Sequence, residues 1–250
     1  MPMTNKPASY CTDSEWLGRS DCAQCGIRKL MLFSKLPEHS FANLLQPIDN
    51  HHYKTGATIY EEGIRGRHVF SIRRGLVKLV YQTPDGSQRI VRLLGRGVTI
   101  GLEVLDADVA YQHTAVVVQD VDLCAIPLRT MRDLEVRYPS LCDKVRQQLQ
   151  LQIERADHWI KALNTGSARA RIAQLLLLLL DIGSDRNGDI QLLPRDDMAA
   201  VVGVTTETAS RIIAEFGRRG LLNKVASNTY RCAVPQLQQL LAEAARSISD

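Results

Sequence analysis

No apolar stretch in this sequence approaches the ~20 residues needed to span a bilayer. The longest, Leu175 to Leu180, stops far short. The opening Met1-Pro2-Met3-Thr4-Asn5-Lys6 has no apolar core of the signal-peptide kind. No membrane partner is therefore expected, and the expected address is cytoplasmic. Neither sign of charge dominates either. Thirty-one basic against 27 acidic residues leave a net +4, which permits nucleic-acid binding without arguing for it. The compositional bias of a disordered or collagen-like chain is also missing, since 45% hydrophobic and 23% charged residues are ordinary for a globular protein. With 250 residues the chain has room for two modest domains or one large one.

Cysteine is what stands out by its placement. Of Cys11, Cys22, Cys25, Cys124, Cys142 and Cys232, three fall within the first 25 residues, and two of these form a Cys-x-x-Cys pair. A reducing cytosol disfavours structural disulfides, and a chain of this length needs none to fold. The clustering points instead to metal or redox chemistry. Cys142 and Cys232 read as small apolar residues in a helix and a strand.

Residues 1 to about 30 are polar and without periodicity, and a short helical stretch is expected from Pro37, on Phe41, Leu44, Leu45 and Ile48. Between Tyr53 and Pro127 the pattern changes to short apolar segments separated by glycine and turn formers: 58–60, 69–72, 76–80, 90–94, 114–118 and 123–126. Strands at such spacing predict an antiparallel sandwich or barrel. Thr83-Pro84-Asp85-Gly86-Ser87 reads as a hairpin turn with Gly86 free for positive φ. From 139 to 163, Leu141, Val145, Leu149, Ile153, Ala156, Ile160 and Leu163 recur at alternating spacings of four and three. That is an amphipathic helix of coiled-coil type. It can pack on its own barrel, but about 25 residues span roughly 37 Å, more than a small barrel covers. Pairing with a twin helix in a homodimer is expected. A second helix follows from about Ala168 to Ile182, then a turn-rich loop at 183–189.

The most informative segment begins at Pro194-Arg195-Asp196-Asp197. A short helix with Met198, Ala199 and Val202 on its apolar side breaks at Gly203-Val204, and a new one starts behind Thr205 as N-cap. Two short helices joined by a tight glycine turn form a helix-turn-helix. Ala209, Ile212, Ile213 and Phe216 would face inward, leaving Thr206, Glu207, Ser210 and Arg211 outward. Arginine pairs bidentately with guanine, glutamate accepts from the cytosine amino group, and serine adapts. From Thr205 to Arg231 there are five basic residues against two acidic ones. Leu221-Leu222 and the stretch from Lys224 to Val234, turning at Ser227-Asn228, read as a wing placed to touch phosphates.

Glu207-Thr208-Ala209-Ser210-Arg211 matches E-T-x-S-R, and Gly75-Leu76-Val77-Lys78-Leu79 is similar to a barrel strand of the form R-x-G-x-x-K. On these motifs and on the order of its parts, nearly the whole chain resembles the family of the cyclic-AMP receptor protein and the fumarate–nitrate reductase regulator, the CRP/FNR family. The resemblance implies an α+β chain. It would have a cysteine-bearing segment (1–35), a cyclic-nucleotide-binding-like β-barrel or jelly roll (36–135), a dimerisation helix (136–164) and a winged helix-turn-helix (165–250). It implies a transcription regulator, not an enzyme, that binds double-stranded DNA as a homodimer and contacts RNA polymerase. Thr205, Thr206, Glu207, Ser210 and Arg211 would lie at the DNA, on a TTGAT-type inverted repeat, with Thr206 where the cyclic-AMP receptor has arginine.

In the cyclic-AMP branch a glutamate and an Arg-Ser pair hold the ligand. Here the matching segments are Ile100-Gly101-Leu102-Glu103 and Gln112-His113-Thr114-Ala115, which argues against cyclic AMP. The other branch implies a [4Fe–4S] cluster on four thiolates. Cys22 and Cys25 resemble its Cys-x-x-Cys and Cys124 its barrel ligand, but Met31 stands at the next ligand position and leaves Cys11 as the remaining thiolate. A thiol switch or zinc site on Cys22 and Cys25, haem or another small ligand near His113, and a chain without cofactor remain open beside it. The unbroken seam through Ile153, Ala156 and Ile160, with Asp157 off the stripe, predicts a dimer without cofactor. An enzyme on a cupin-like barrel would need clustered His and Glu ligands, and His51, His52, His68 and His113 are not so spaced.

Overall fold

The computed structural model describes residues 14–82, 88–106, 109–185 and 187–246. Cys11 and the turn at 83–87 lie outside these residues. The chain divides into two units. One comprises residues up to Tyr81 with Leu94–Leu151, the other Gln82–Leu93 with residues from Gln152 onward.

The first unit is built on antiparallel strands: β1 (Ser14–Arg19), β2 (Asp49–Tyr53), β3 (Thr58–Tyr60), β4 (His68–Gln82), β6 (Thr99–Ile100) and β7 (Thr114–Pro127), while all but the last residue of β5 (Gln88–Leu94) falls in the second. The order within this unit is β1-β2-β7-β4, with β3 on β7 and β6 on β4. The path has two ends, so the expected jelly roll is present as an open sheet and not as a closed barrel. Its core is apolar and tightly filled: Val69, Ile72, Leu76, Val77, Val121 and Leu123 are wholly buried. Each such side chain contributes roughly 1.5–3 kcal/mol over its exposed state.

The segments expected at 69–72 and 76–80 are one strand, β4. Its pairing with β7 shifts register repeatedly between Ile72 and Val77. Gly75 makes this possible. Its φ is +92°, and a Cβ there would lie 2.3 Å from the Asp120 carbonyl oxygen. The segments at 114–118 and 123–126 likewise merge into β7. The helical stretch expected from Pro37 is only a 3-10 turn, Glu38–Phe41. Pro47 bars the preceding residue from helical backbone, so the apolar spacing of Leu44, Leu45 and Ile48 has no helix to occupy. β1 was not expected. It lies at the sheet edge with Trp16 and Leu17 exposed, so no two-residue alternation marks it.

Helix α1 (Leu128–Arg137) follows β7, and α2 (Pro139–Leu163) is the long helix expected from the stripe. Among the described residues no helix is long and apolar enough to cross a membrane.

The second unit contains α3 (Ala168–Gly183), β8 (Ile190–Gln191), α4 (Arg195–Val202), α5 (Thr206–Arg218), β9 (Leu222–Ala226), β10 (Thr229–Cys232) and α6 (Val234–Arg246). The Ser167 side chain caps α3 by accepting from the Ala170 amide. Leu175, Leu176 and Leu179 of the leucine run are buried together with Met198, Val202, Phe216 and Leu237. The three short strands form a sheet in the order β8-β10-β9.

Candidate nucleic-acid interface and thiol-lined cavity

The turn between α4 and α5 is closed by Gly203 in the left-handed region, at φ +65°. The Val204 amide then donates back to the Ala199 carbonyl at 3.1 Å. Thr205 caps α5, its hydroxyl accepting from the Thr208 amide at 3.2 Å. That bond satisfies one of the orphan donors at the helix start. Ala209, Ile212, Ile213 and Phe216 are buried beneath the helix. Thr206, Glu207 and Arg211 are exposed on the other side, and Ser210 is half-buried. The inward and outward sides read from the spacing are thus the sides the fold produces.

One further contact here was not legible in the sequence. Thr206 Oγ1 donates to Asp196 Oδ1 at 2.7 Å, linking the first turns of α4 and α5. The wing exposes Asn223, Lys224 and Val225. Asn228 turns it, with φ +54°, and its side-chain amide donates to the Leu192 carbonyl at 3.1 Å. Arg231 is clamped bidentately on the buried Asp189 carboxylate at 2.7 and 2.8 Å. Arg219 pairs with Glu215 at 3.4 Å, and Arg169 reaches the same carboxylate.

The apolar stripe of α2 divides. Leu141, Val145 and Leu163 are buried within the chain. Leu149, Ile153 and Ile160 are exposed, and Ala156 is half-exposed. Gln148 is buried on the same helix, its side-chain amide donating to the Gly97 carbonyl at 3.3 Å. Four apolar positions in the middle of the helix therefore present a continuous uncovered seam.

In the first unit, Cys22, Cys25, Cys124 and Met31 line one small cavity together with Arg28, Phe33, Ser71 and Ile126. β2 and β4 bring it together, since Cys124 of β7 is flanked by Asn50 on one side and Ser71 on the other. The Ser20 hydroxyl donates to Cys124 Sγ at 3.6 Å and to Asn50 Oδ1 at 2.7 Å. Arg73 also donates to Asn50 Oδ1, at 2.9 Å. Burial, with the neighbouring thiols adding to it, pushes the Cys22 thiol up to about 12. Burial also raises Cys124, partly offset by the Ser20 hydrogen bond. Both rest as protonated thiols.

A four-thiolate cluster needs one more thiolate than the cavity shows, because Met31 brings a neutral thioether. Among the described residues no three His, Cys, Asp or Glu side chains are placed to hold a metal ion. The described residues therefore do not make up the donor set of a [4Fe–4S] cluster.

Aromatic rings fill part of this unit's interior: Tyr60 stacks on Tyr111 at 3.9 Å and on Phe70 at 5.7 Å. The Tyr111 hydroxyl donates to the His68 carbonyl at 2.7 Å. Glu103 accepts from the Gln112 amide at 3.4 Å, and His113 is half-exposed.

Residues 50–138 match the cyclic nucleotide-binding domain family, and residues 170–243 the Crp-like helix-turn-helix domain family. The chain is 29% identical over 185 residues to the transcriptional regulator LdrP of Thermus thermophilus, covering 73% of this chain and 91% of that protein. It is 24% identical over 206 residues to the fumarate and nitrate reduction regulatory protein of Escherichia coli, covering 80% and 82%. The crystal structure of a CRP-family transcriptional regulator from Thermus thermophilus superposes with a TM-score of 0.65 at 26% identity, covering 77% of this chain and 97% of that one. These relatives are regulators of transcription and not enzymes.

Proposed function

Because this chain belongs to the CRP/FNR family of transcription regulators, we propose that it is a cytoplasmic homodimer that reads a TTGAT-type inverted repeat. One observation carries the reading. The Thr205-capped helix α5 buries Ala209, Ile212, Ile213 and Phe216 and leaves Thr206, Glu207, Ser210 and Arg211 outward. Arg211 reads a guanine bidentately, Glu207 accepts from a cytosine amino group, and Ser210 adapts to either. Thr205 and the wing lysine Lys224 lie at the phosphates. The uncovered α2 seam of Leu149, Ile153, Ala156 and Ile160 pairs with its twin. Two-fold symmetry then sets the recognition helices in successive major grooves, about 34–36 Å apart. Leu141, Val145 and Leu163 flank that seam from within each protomer. The sensory part is taken as 36–135, the dimer helix as 136–164 and the DNA-binding part as 165–250. The regulator also contacts RNA polymerase, by family likeness.

The signal enters at the cavity of Cys22, Cys25 and Cys124. Its donor set of three thiols and one thioether falls one thiolate short of a [4Fe–4S] cluster, which would have to recruit Cys11. The remaining reading is a thiol switch in which Cys22 and Cys124 must lose their protons against burial before they react. Cyclic AMP is not the effector, since His113 stands where a fixed cation is needed for the phosphate.

A gel-shift titration with a duplex carrying two TTGAT half-sites tests the DNA reading. Wild-type protein shifts it, and Arg211→Ala weakens binding roughly ten- to hundredfold. Unchanged binding by the variant would overturn the assignment. Anaerobic purification with iron and sulfide analysis tests the sensor. A colourless, iron-free protein is expected, and a broad visible band with stoichiometric sulfide would restore the cluster.

A further inference from the structure

Thr206 opens the recognition helix, yet its hydroxyl proton is already committed. It is donated to Asp196 Oδ1 at 2.7 Å, across the turn of the helix-turn-helix. Both side chains are exposed, so the link is not imposed by a closed core. A hydroxyl has one proton and two acceptor lone pairs, and an ionised carboxylate only accepts. With its proton held by Asp196, Thr206 offers lone pairs alone to whatever approaches from outside. Asp196 offers the same. The Thr206 and Asp196 side chains thus form a small acceptor-only pair, next to the acceptor Glu207 and about one turn before the donor Arg211.

These two side chains are ill-suited to the DNA backbone, whose phosphate oxygens are themselves acceptors and anionic. They suit a base edge. In the major groove the amino groups of adenine and cytosine donate, while the carbonyl oxygens of guanine and thymine accept. The first residues of a recognition helix are also the ones that reach base edges.

We propose that Asp196, acting with Thr206, determines specificity at one base pair of each half-site by accepting from an adenine or cytosine amino group and rejecting a carbonyl in its place. The proposal rests on the DNA-binding reading above. Each base pair shows its amino group on one side of the groove and its carbonyl on the other. The pair therefore discriminates the orientation of that base pair and not its A·T or G·C character. Asp196 is the specificity-determining partner because it fixes which way the Thr206 proton points. Without it the hydroxyl rotates and serves as donor or acceptor alike.

The test uses full-length protein and a set of duplexes built on the TTGAT inverted repeat, each with one base pair reversed symmetrically in both half-sites. Affinities are measured for the wild type, Asp196→Ala and Thr206→Val. The wild type is expected to favour one orientation at one base pair by about tenfold or more. Both variants flatten that preference to within about twofold and leave the preferences at the other positions intact. A uniform change in affinity across all duplexes would reduce Asp196 to a charge effect and overturn the proposal, as would an unaltered preference profile. If wild-type protein bound none of the duplexes, the DNA-binding reading itself would fall. Circular dichroism and thermal unfolding confirm that both variants are folded. Should Asp196→Ala fail to fold, Thr206→Val, which removes only the hydroxyl, decides the matter alone.

Discussion

At the scale of single residues, burial sets the protonation of several groups, and His68 shows the consequence for stability. Its ring lies 6.1 Å from that of Phe70. Burial first, then the nearby His51 and Arg67, bring its pKa from the ordinary 6.5 down to about 4. Between those two values the unfolded chain binds a proton that the folded chain refuses. Stability on this account is complete above pH 6.5, falls as pH drops through the window, and levels off below about 4. The loss amounts to at most about 3 kcal/mol. Urea unfolding at neutral pH and near pH 4 should show it, and His68→Gln should be distinctly less acid-sensitive. His51 is shifted in the same direction by its own burial, so the variant should keep a smaller residual slope. An identical acid dependence in the variant would remove His68 from the account.

At the scale of elements, Gly75 holds β4 together as one strand. An alanine there would meet both a left-handed backbone and the Asp120 carbonyl, at 2.3 Å from its Cβ. Gly75→Ala should cost about 2 kcal/mol or more. Gly56→Ala, at φ +88° with open space around its Cβ, should cost only the backbone strain. Chemical unfolding of the two variants gives the comparison, and equal losses would mean that the close approach to β7 is relaxed at little cost.

The same elements show what a sequence can disclose. The helix-turn-helix was legible because Gly203, Thr205 and the Ala209-Ile212-Ile213-Phe216 spacing each carry a local signal that agrees with the tertiary arrangement. The breaks between 72 and 76 and between 118 and 123 resembled strand ends because a bulge and a loop look alike in one dimension. Edge strand β1 hides because Trp16 and Leu17 are both exposed. Helix α6 buries only Leu237 among its residues, and so leaves little pattern. The Asp196–Thr206 bond depends on how two helices cross, which neither helix encodes alone. The cysteine cavity was legible in part. Cys22, Cys25 and Cys124 line one cavity, and Met31, which the sequence already sets at the next ligand position, lines it too at 5% exposed. The depth of burial that keeps Cys22 and Cys124 protonated is set by packing and has no local signal.

At the scale of the whole molecule, α2 carries two adjoining apolar faces with different fates. Leu141 belongs to the chain's own core, whereas Ile153 is 55% exposed. Ile153→Glu should therefore leave each protomer folded while placing two like charges at the two-fold seam. Size-exclusion chromatography with light scattering should report a monomer, and the gel shift should be lost with it. A dimer of unchanged stability would show that the partner is joined elsewhere.

The clamp of Arg231 on Asp189 and the pairing of Arg219 with Glu215 also bear on how salt acts on the complex. Of the five cations counted between Thr205 and Arg231, Arg231 is neutralised by Asp189 and Arg211 is assigned to a base. Arg219 shares the single charge of Glu215 with Arg169, so that trio keeps a net positive charge. Arg218, Arg219 and Lys224 are left to displace counterions from the duplex. Each such displacement contributes about −0.9 to the slope of log affinity against log salt. This stretch therefore supplies a slope of roughly −3 per protomer instead of the nearly −5 that its raw charge suggests, and the grip on DNA should weaken only gently as ionic strength rises.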